Sequence, residues 1–367
     1  MEGNGWMHAE ERHRTILRQV RENGSMRVTD IAAELGVSPV TVRKDVEVLA
    51  ERGLVTRVHG GAMLPEGIAE TMPVTAPGAG EGPGSGLPLR LGLVVPSANY
   101  YYPEVVRGAR DVAAAAGARL VLRVSDYDPG VELAAAEQLV GDGVHGLLIA
   151  PSGSGGPQVG RHWCEDLGVP VVLVERRPGE DAPAVEHVAT DHVHGARLAV
   201  AHLVRAGRRR IALLMRGSTP TSPWIKQGFL DGLRSAGLPA ADAGSFFDLG
   251  AGAPGTSGYD RATSDFLDGA ASGRIDAVIV HPEHDALALL QRLRERGLSV
   301  PGQIAVVSYD DEVAALADVP LTAVAPCKHE VGRSAMELLL LRLADPERPR
   351  RRMFVLPELH IRASSEA

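Results

Sequence analysis

From residue 89 onwards, short apolar runs alternate with longer amphipathic segments, and this rhythm constrains the fold more than any other feature of the chain. The runs LRLGLVVP, ARLVLRVS, VHGLLIAP and VPVVLVE are separated by segments such as VVRGARDVAAAAG and ELAAAEQLVGDG. Such alternation is typical of βαβ units, whose parallel strands are buried on both faces and therefore read as continuous apolar runs. The rhythm restarts near Gly195, with RRIALLM, DAVIVH and IAVVSYD as its strands. The sequence therefore predicts an α/β domain of two similar lobes with parallel sheets.

The segment before this domain, residues 64–88, reads LPEGIAETMPVTAPGAGEGPGSGLP. Gly, Pro, Ala and Ser interrupt every apolar period there, which is typical of a flexible linker. The chain is therefore predicted to divide into an N-terminal domain over residues 1–63, a linker over 64–88 and the α/β domain over 89–367.

The chain has 367 residues, 44% of them apolar, and a formal net charge of -8. This length predicts two or three domains. No apolar run approaches the roughly eighteen residues of a membrane helix, and no export signal opens the chain, so we expect a cytoplasmic protein without a membrane partner. Its cysteines, Cys164 and Cys327, stand far apart and outside CxxC spacing, which argues against a disulfide framework and a zinc site.

The N-terminal domain shows helical periodicity with turn punctuation. HAEERHRTILRQVREN predicts a first helix, and VTDIAAELG predicts a second one that Thr29 or Asp30 caps. Ser38 then caps a third helix, VTVRKDVEVLAERG, in which Pro39 holds the first position, where its missing N–H costs nothing. Two helices joined by a tight turn that contains glycine predict a helix-turn-helix.

In that geometry the N-terminal half of the third helix faces the major groove of DNA. Basic residues lie in this half and acidic residues lie later, so charge is sorted along the helix, although a basic pair is also what a solvated helix face carries. LVTRVHGGA then predicts a short hairpin, or wing, next to the phosphates. The predicted DNA contacts are Ser38, Thr41, Arg43, Lys44, Arg57 and His59.

The stretch TVRKDVEVLAERGLVTRVHGGA resembles the winged helix-turn-helix of DeoR-type bacterial repressors, and the resemblance covers roughly residues 8 to 63. It implies that these positions contact double-stranded operator DNA, and that Asp45 orients an arginine or caps locally. The sugar-phosphate domain usual in that family, with its G-T-T phosphate loop, has no counterpart in this chain.

Residues 89–364 instead resemble the periplasmic-binding-protein-like core of LacI/GalR-type repressors. NYYYPEVVRGA, VHGLLIAPS, VPVVLVERR, TDHVHGARLAVAHLVRAGRRRIALL, VPGQIAVVSYDDE and VLPELHIRASS match that family's motifs in order. The resemblance implies one lobe over about 89–189 and 321–349, and another over about 190–320 and 350–364. It also implies a small effector bound between them, which we expect to be a sugar or sugar derivative.

A sugar presents hydroxyls around weakly polar faces, so its site needs aromatic platforms and planar polar groups in a cleft. By the resemblance, Tyr101 and Tyr102 are stacking aromatics and Asp310 grips adjacent hydroxyls, with core packing as the alternative for one tyrosine of 100–102. Arg176 either contacts the effector or pairs with Glu175. The predicted effector-binding residues are Ser97, Asn99, Tyr101, Tyr102, Arg176, Trp224, His284 and Asp310.

The chain departs from the LacI/GalR pattern at three places. The family's ligand-gripping arginine is replaced by Ile225, next to Trp224, and the usual Asn-Asp pair by His284 and Asp285. The hinge helix that enters the minor groove is replaced by the Gly/Pro linker. Both the effector's identity and the coupling to DNA are therefore expected to differ from the family pattern.

Other functions find little support in the residues. The histidines at 187, 192, 194 and 202 do not converge on one helical face as a zinc site requires, and PSGSGGP lacks the G-K-[ST] of a phosphate loop. No catalytic triad motif occurs, so we predict a regulator that is not an enzyme and needs no cofactor or metal, and that binds operator DNA as a homodimer. Two alternatives remain: a solute-binding protein for sugar uptake, and a DNA-binding regulator whose core has lost its ligand.

Overall fold

The structure is a computed structural model, and it describes residues 12–13, 15–17, 25–35, 37–51, 56–58, 61–63, 89–153, 163–178, 185–239 and 245–366. The chain divides into two compact units, Met1–Pro83 and Gly84–Ala367. The predicted linker, residues 64–88, lies outside the described residues. None of the described helices is both long and apolar enough to cross a membrane.

The N-terminal unit is a small helical core beside a three-stranded antiparallel sheet of order β1-β3-β2. Residues 12–13 and 15–17 are helical, as predicted, and Ile16 packs with Ile31, Val42, Val46 and Leu49 in the core. The hairpin of β2 and β3 is the wing that the sequence predicts. The elements of the N-terminal unit are β1 Ser25–Arg27, α1 Val28–Leu35, α2 Pro39–Glu51, β2 Thr56–Val58 and β3 Gly61–Met63.

One polar contact caps α2, and another joins the middle of α2 to Arg12. The Ser38 hydroxyl accepts a hydrogen bond from the Thr41 backbone N–H at 3.1 Å, so Ser38 is the predicted cap of α2. By contrast α1 already begins at Val28, so Thr29 and Asp30 lie inside the helix and do not cap it. Arg12 donates Nε–H to Asp45 at 2.8 Å and Nη2–H at 3.1 Å, which confirms that Asp45 orients an arginine.

Lobe one is the part of the larger unit built on a six-stranded sheet of order β14-β8-β7-β6-β4-β5, in which every pair is parallel. Its strands β4, β6 and β7 are mainly apolar and buried, which is why they read as continuous apolar runs. Its elements are β4 Arg90–Val95, α3 Tyr102–Ala115, β5 Arg119–Val124, α4 Pro129–Gly141, β6 Gly146–Ile149, α5 Trp163–Asp166, β7 Val171–Val174, β8 Glu186–Thr190, α10 Lys328–Ala344 and β14 Arg352–Val355.

Lobe two is the part built on the other six-stranded sheet, of order β10-β9-β11-β12-β13-β15, which is parallel except for the antiparallel edge strand β15. Its elements are α6 His192–Arg205, β9 Ile211–Met215, α7 Ser222–Ser235, β10 Phe246–Asp248, α8 Ser257–Ala271, β11 Ala277–His281, α9 Glu283–Glu295, β12 Ala305–Tyr309, β13 Thr322–Ala325 and β15 Glu358–His360.

The chain passes between the lobes after β8, after β13 and after β14, within the described ranges. The predicted lobe boundaries are wrong at the last two passages. Residues 322–325 pair with β12 in lobe two, and residues 352–355 pair with β8 in lobe one. Each of these short strands pairs with a strand of the lobe that the chain is about to leave. The chain therefore changes lobe after the strand and not before it.

Helices α3 and α10 pack in unusually close contact on lobe one because each carries a glycine at the crossing. A Cβ on Gly108 would lie 2.0 Å from the His329 carbonyl oxygen, and a Cβ on Gly332 would lie 2.0 Å from the Val105 carbonyl oxygen. Such distances are far inside van der Waals contact, so only glycine permits this crossing. The contact brings the N-terminus of α10 next to the start of α3, at the cleft between the lobes.

Candidate nucleic-acid interface and ligand cleft

The predicted DNA-contacting positions lie on α2 and the wing. The core-facing residues of α2 are Val42, Val46 and Leu49, all buried. Ser38 and Lys44 are exposed, and Thr41 is half-buried. Arg43 lies in the first half of α2 and Arg57 in β2, whereas His59 lies outside the described residues. The capped start of α2 therefore leaves polar positions on the side away from the core.

The predicted effector residues lie around the carboxyl ends of parallel strands, where open α/β sheets form their binding crevices. Five described residues that follow these strands have a left-handed backbone although none is glycine, among them Tyr100 with φ 62°, Glu175 with φ 57° and Asp310 with φ 77°. Such conformations cost about 1–3 kcal/mol each and cluster at binding sites. Their occurrence on both sides of the cleft indicates that these backbone conformations place side chains in the cleft.

A buried carboxylate organises the lobe-one side of the cleft. Glu175 is 3% exposed and accepts hydrogen bonds from the Tyr101 hydroxyl at 2.7 Å, the Thr190 hydroxyl at 2.8 Å and the Thr190 backbone N–H at 3.1 Å. Burial raises the pKa of the Tyr101 hydroxyl well above its usual value, so this tyrosine stays a donor. The three donors account for the burial of Glu175 without a cation on its carboxylate.

The structure corrects the prediction for the tyrosine run. Tyr102 is 2% exposed and packs in the lobe-one core, so its ring is not a platform in the cleft. Tyr100, which was not among the predicted residues, is 40% exposed and donates its hydroxyl to Asp310 Oδ2 at 3.3 Å, across the cleft. Which of the three rings faces the cleft depends on the left-handed backbone of Tyr100 and on the start of α3 at Tyr102. The sequence YYY predicts neither feature.

Asp310 lies on the lobe-two side and is buried. Desolvation raises the pKa of its carboxyl to about 7, an effect that Lys328 opposes and Glu283 reinforces. Lys328 forms an ion pair with Glu312, and its ammonium also lies 4.8 Å from the Tyr101 ring centroid. Since Lys328 belongs to α10 of lobe one and Glu312 follows β12 of lobe two, this ion pair also joins the lobes.

Arg176 is anchored by backbone carbonyls. Its Nε donates to Pro151 at 2.8 Å and its Nη1 donates to the Glu175 carbonyl at 2.8 Å. The pairing with Glu175 that the sequence left open is thus made through the backbone. Ser97 and Asn99 form a local turn at the surface, in which the Ser97 hydroxyl accepts the Asn99 N–H at 3.1 Å.

The departures from the family pattern have clear positions. Ile225 is fully buried in the lobe-two core. Trp224 beside it is half-buried, and the guanidinium carbon of Arg177 lies 4.2 Å from the centroid of the Trp224 ring. His284 is exposed and its ring lies edge-on to Tyr100, with centroids 6.4 Å apart. Asp285 pairs with Arg216 at 2.7 Å inside lobe two.

A small cavity lies between the lobes, with about 10 Å³ of free volume, which is roughly the room of one water molecule. Two of the predicted residues, Arg176 and Trp224, line it. Sequence reasoning missed Arg177 and Thr221, and it weighed His192 only as a metal ligand. The cavity lining consists of Gly153, Glu175, Arg176, Arg177, Ala189, His192, Pro220, Thr221 and Trp224.

In the part of the chain that the structure describes, no group of three or more His, Cys, Asp and Glu side chains is placed to hold a metal ion. The histidines near the cleft are instead packed against aromatic rings. His192 and His281 both contact the Tyr309 ring, with centroids 5.7 Å and 5.5 Å away. Burial lowers the pKa of His281 to about 4 and that of His192 well below its usual value.

Two family models match the chain. Residues 12–67 match the DeoR-like helix-turn-helix domain, and residues 200–365 match the periplasmic binding protein-like domain. Together they cover most of the N-terminal unit and of lobe two, and also α10 and β14 of lobe one. The two predicted halves of the protein are therefore recognised independently.

Curated relatives and solved structures are regulators of transcription. The arabinose metabolism transcriptional repressor of Geobacillus stearothermophilus is 30% identical over 247 residues, 66% of each chain. The ribose operon repressor of Escherichia coli (strain K12) is 27% identical over 287 residues, 74% of this chain and 81% of that one. The structure of the transcriptional regulator CelR in complex with cellobiose is 25% identical with a TM-score of 0.63, and the match covers 89% of this chain and 91% of that one.

Proposed function

Because the chain belongs to the LacI/GalR-type transcription regulators and carries a DeoR-like helix-turn-helix domain, we propose that it is a cytoplasmic repressor of carbohydrate-metabolism genes. It acts as a homodimer on a double-stranded operator, and it works by binding and not by catalysis. Its effector is a small sugar or sugar derivative held between lobe one and lobe two.

The observation that carries this proposal is the convergence of polar and aromatic groups from both lobes on one cleft. Tyr100 and Tyr101 come from lobe one, and Asp310 and Trp224 come from lobe two. Carboxylates and hydroxyls beside aromatic rings are what a sugar requires. The relatives named for arabinose and ribose operons, and the cellobiose complex, support the same class of effector.

Regulation follows from the contacts that join the lobes. A sugar is too large for the present cavity, so binding must replace or lengthen contacts such as Tyr100–Asp310 and change the angle between the lobes. In a dimer, that change alters the spacing of the two DNA-binding heads, and both half-sites are then no longer occupied together.

DNA binding through α2 is tested by exchanging its basic residue. We expect Arg43→Ala to lower the affinity of the full chain for a DNA sequence selected from a random pool by at least about tenfold, as the loss of one good base contact would. The matched control is Arg261→Ala, which removes an exposed cation from lobe two and should leave the affinity unchanged. Equal affinities of Arg43→Ala and the wild type would refute the assignment.

A second function is favoured by the cavity's small volume: a DNA-binding regulator whose core has lost effector binding. Contacts between the lobes, including the Lys328–Glu312 ion pair, fill the cleft that a ligand would occupy. A thermal-shift screen over sugars separates the two functions, because a ligand that binds only the folded chain raises its melting temperature. An absence of any shift across the screen would favour this second function.

A further inference from the structure

We propose that Arg177 is the effector-contacting guanidinium of the cleft and that the effector carries an oxyanion, a carboxylate or a phosphate, which pairs with it. This inference rests on the proposed function, since it specifies the chemical class of the effector in the same cleft. Neither the predicted site residues nor the family motif includes Arg177.

The guanidinium of Arg177 lies over two aromatic rings. Its guanidinium carbon lies 4.2 Å from the ring centroid of Trp224 in lobe two and 4.3 Å from that of Phe354 in lobe one. Stacking uses the faces of the guanidinium and leaves its N–H edge available for hydrogen bonds. The two rings therefore restrain the Arg177 guanidinium without using its donors.

The donors of Arg177 are unused by the described residues. Its Nε is shielded from solvent and has no hydrogen-bond partner among them, and its nearest carboxylate oxygen, Asp191 Oδ1, lies 3.8 Å from Nη2, beyond hydrogen-bonding distance. A buried donor without a partner costs about 1–3 kcal/mol. An incoming acceptor would remove this cost, which is the usual reason for a binding site to keep an unpaired group.

A second unpaired nitrogen lines the same cavity. The His192 side chain is 5% exposed, and its Nε2 has no hydrogen-bond partner among the described residues, although Glu175 Oε2 lies 3.9 Å away. Its Nδ1 contacts the Tyr309 hydroxyl at 3.1 Å. Because His192 stays neutral, it provides one polar position for the effector without adding charge.

Two guanidinium groups line the cavity and can bind an anion. The lining contains the cations Arg176 and Arg177 and one carboxylate, Glu175, whose oxygens already accept three hydrogen bonds. Asp191 is too far away to occupy the donors of Arg177. A carboxylate or phosphate on the effector would accept two parallel hydrogen bonds from the unused guanidinium edge of Arg177.

The experiment compares neutral sugars with their acidic derivatives on the full chain. Arabinose, arabinonate and arabinose 5-phosphate, and the matched glucose, gluconate and glucose 6-phosphate, are titrated by calorimetry. We expect at least one acidic member to bind tenfold or more tightly than its neutral parent, and the comparison of carboxylate with phosphate identifies the anion. Arg177→Gln should lower that member's affinity at least tenfold, whereas Arg261→Gln should not change it.

Three results would overturn the inference. If a neutral sugar binds as tightly as its acidic derivatives, the proposed function stands and the anionic class is wrong. If Arg177→Gln changes the melting temperature but not the affinity for the acidic member, Arg177 only joins the lobes. If no member of either series binds, the inference fails together with the proposed effector function.

Discussion

The position of the Asp310 carboxylate in the cleft depends on its burial, its backbone conformation and its hydrogen-bond partner together. It follows β12 with a left-handed backbone, is buried, and accepts the Tyr100 hydroxyl across the cleft. The motif in the sequence predicts that this carboxylate lies in the cleft, because the end of an apolar strand can be recognised from its letters. It does not predict Tyr100 as the partner, since the two residues are 210 positions apart and only the closed arrangement of the lobes brings them together.

The raised pKa of Asp310 predicts a pH-dependent stability. Desolvation raises this pKa from 3.8 to about 7, so between these pH values the folded chain holds a proton that the unfolded chain releases. Asp310 therefore makes the free energy of unfolding fall as the pH rises from about 4 to about 7, by an amount on the order of a few kcal/mol. Asp310→Asn removes this contribution because an amide does not ionise.

Urea unfolding at pH 5 and pH 8 measures the effect. The free energy of unfolding of Asp310→Asn, relative to the wild type, should increase from pH 5 to pH 8. A difference between variant and wild type that is the same at both pH values would contradict the raised pKa.

At the scale of elements, the sequence predicts strands and helices well and their membership in lobes less well. Continuous apolar runs mark β4, β6, β9 and β12 because each is covered on both faces. In contrast, β14 is partly exposed at the edge of its sheet, and nothing in its letters says which sheet it joins. Pairing with β8 decides this, and such pairing depends on contacts between distant segments.

The crossing of α3 and α10 gives a test at this scale. Gly332→Ala should lower the free energy of unfolding by about 1–3 kcal/mol, because the added methyl group meets the Val105 carbonyl oxygen and the helices must separate. The matched control is Gly141→Ala at the end of α4, where a Cβ meets no atom within 4 Å. Urea unfolding should show no loss for the control, and an unperturbed Gly332→Ala would mean that the crossing is looser than described.

The whole molecule joins a small reader, whose nine Lys and Arg residues equal its nine Asp and Glu residues over 1–63, to a large acidic sensor. Its net charge of -8 does not oppose DNA binding, because the potential that DNA experiences is local, and basic residues lie in the first half of α2 and in the wing. The order of the two domains could be predicted from motifs, since each motif is contiguous. The small volume of the cleft could not be predicted, because it depends on contacts between the lobes such as Lys328–Glu312 and Arg177–Trp224.

An effector in the cleft is expected to change the affinity of the head for DNA. The most direct measurement is the dissociation constant of the full chain for its selected DNA sequence, with and without a saturating sugar or sugar acid found in the screen. We predict a change of about five- to 150-fold, with the same factor in the effector's affinity when DNA is bound. Identical dissociation constants with and without a ligand that demonstrably occupies the cleft would contradict the account.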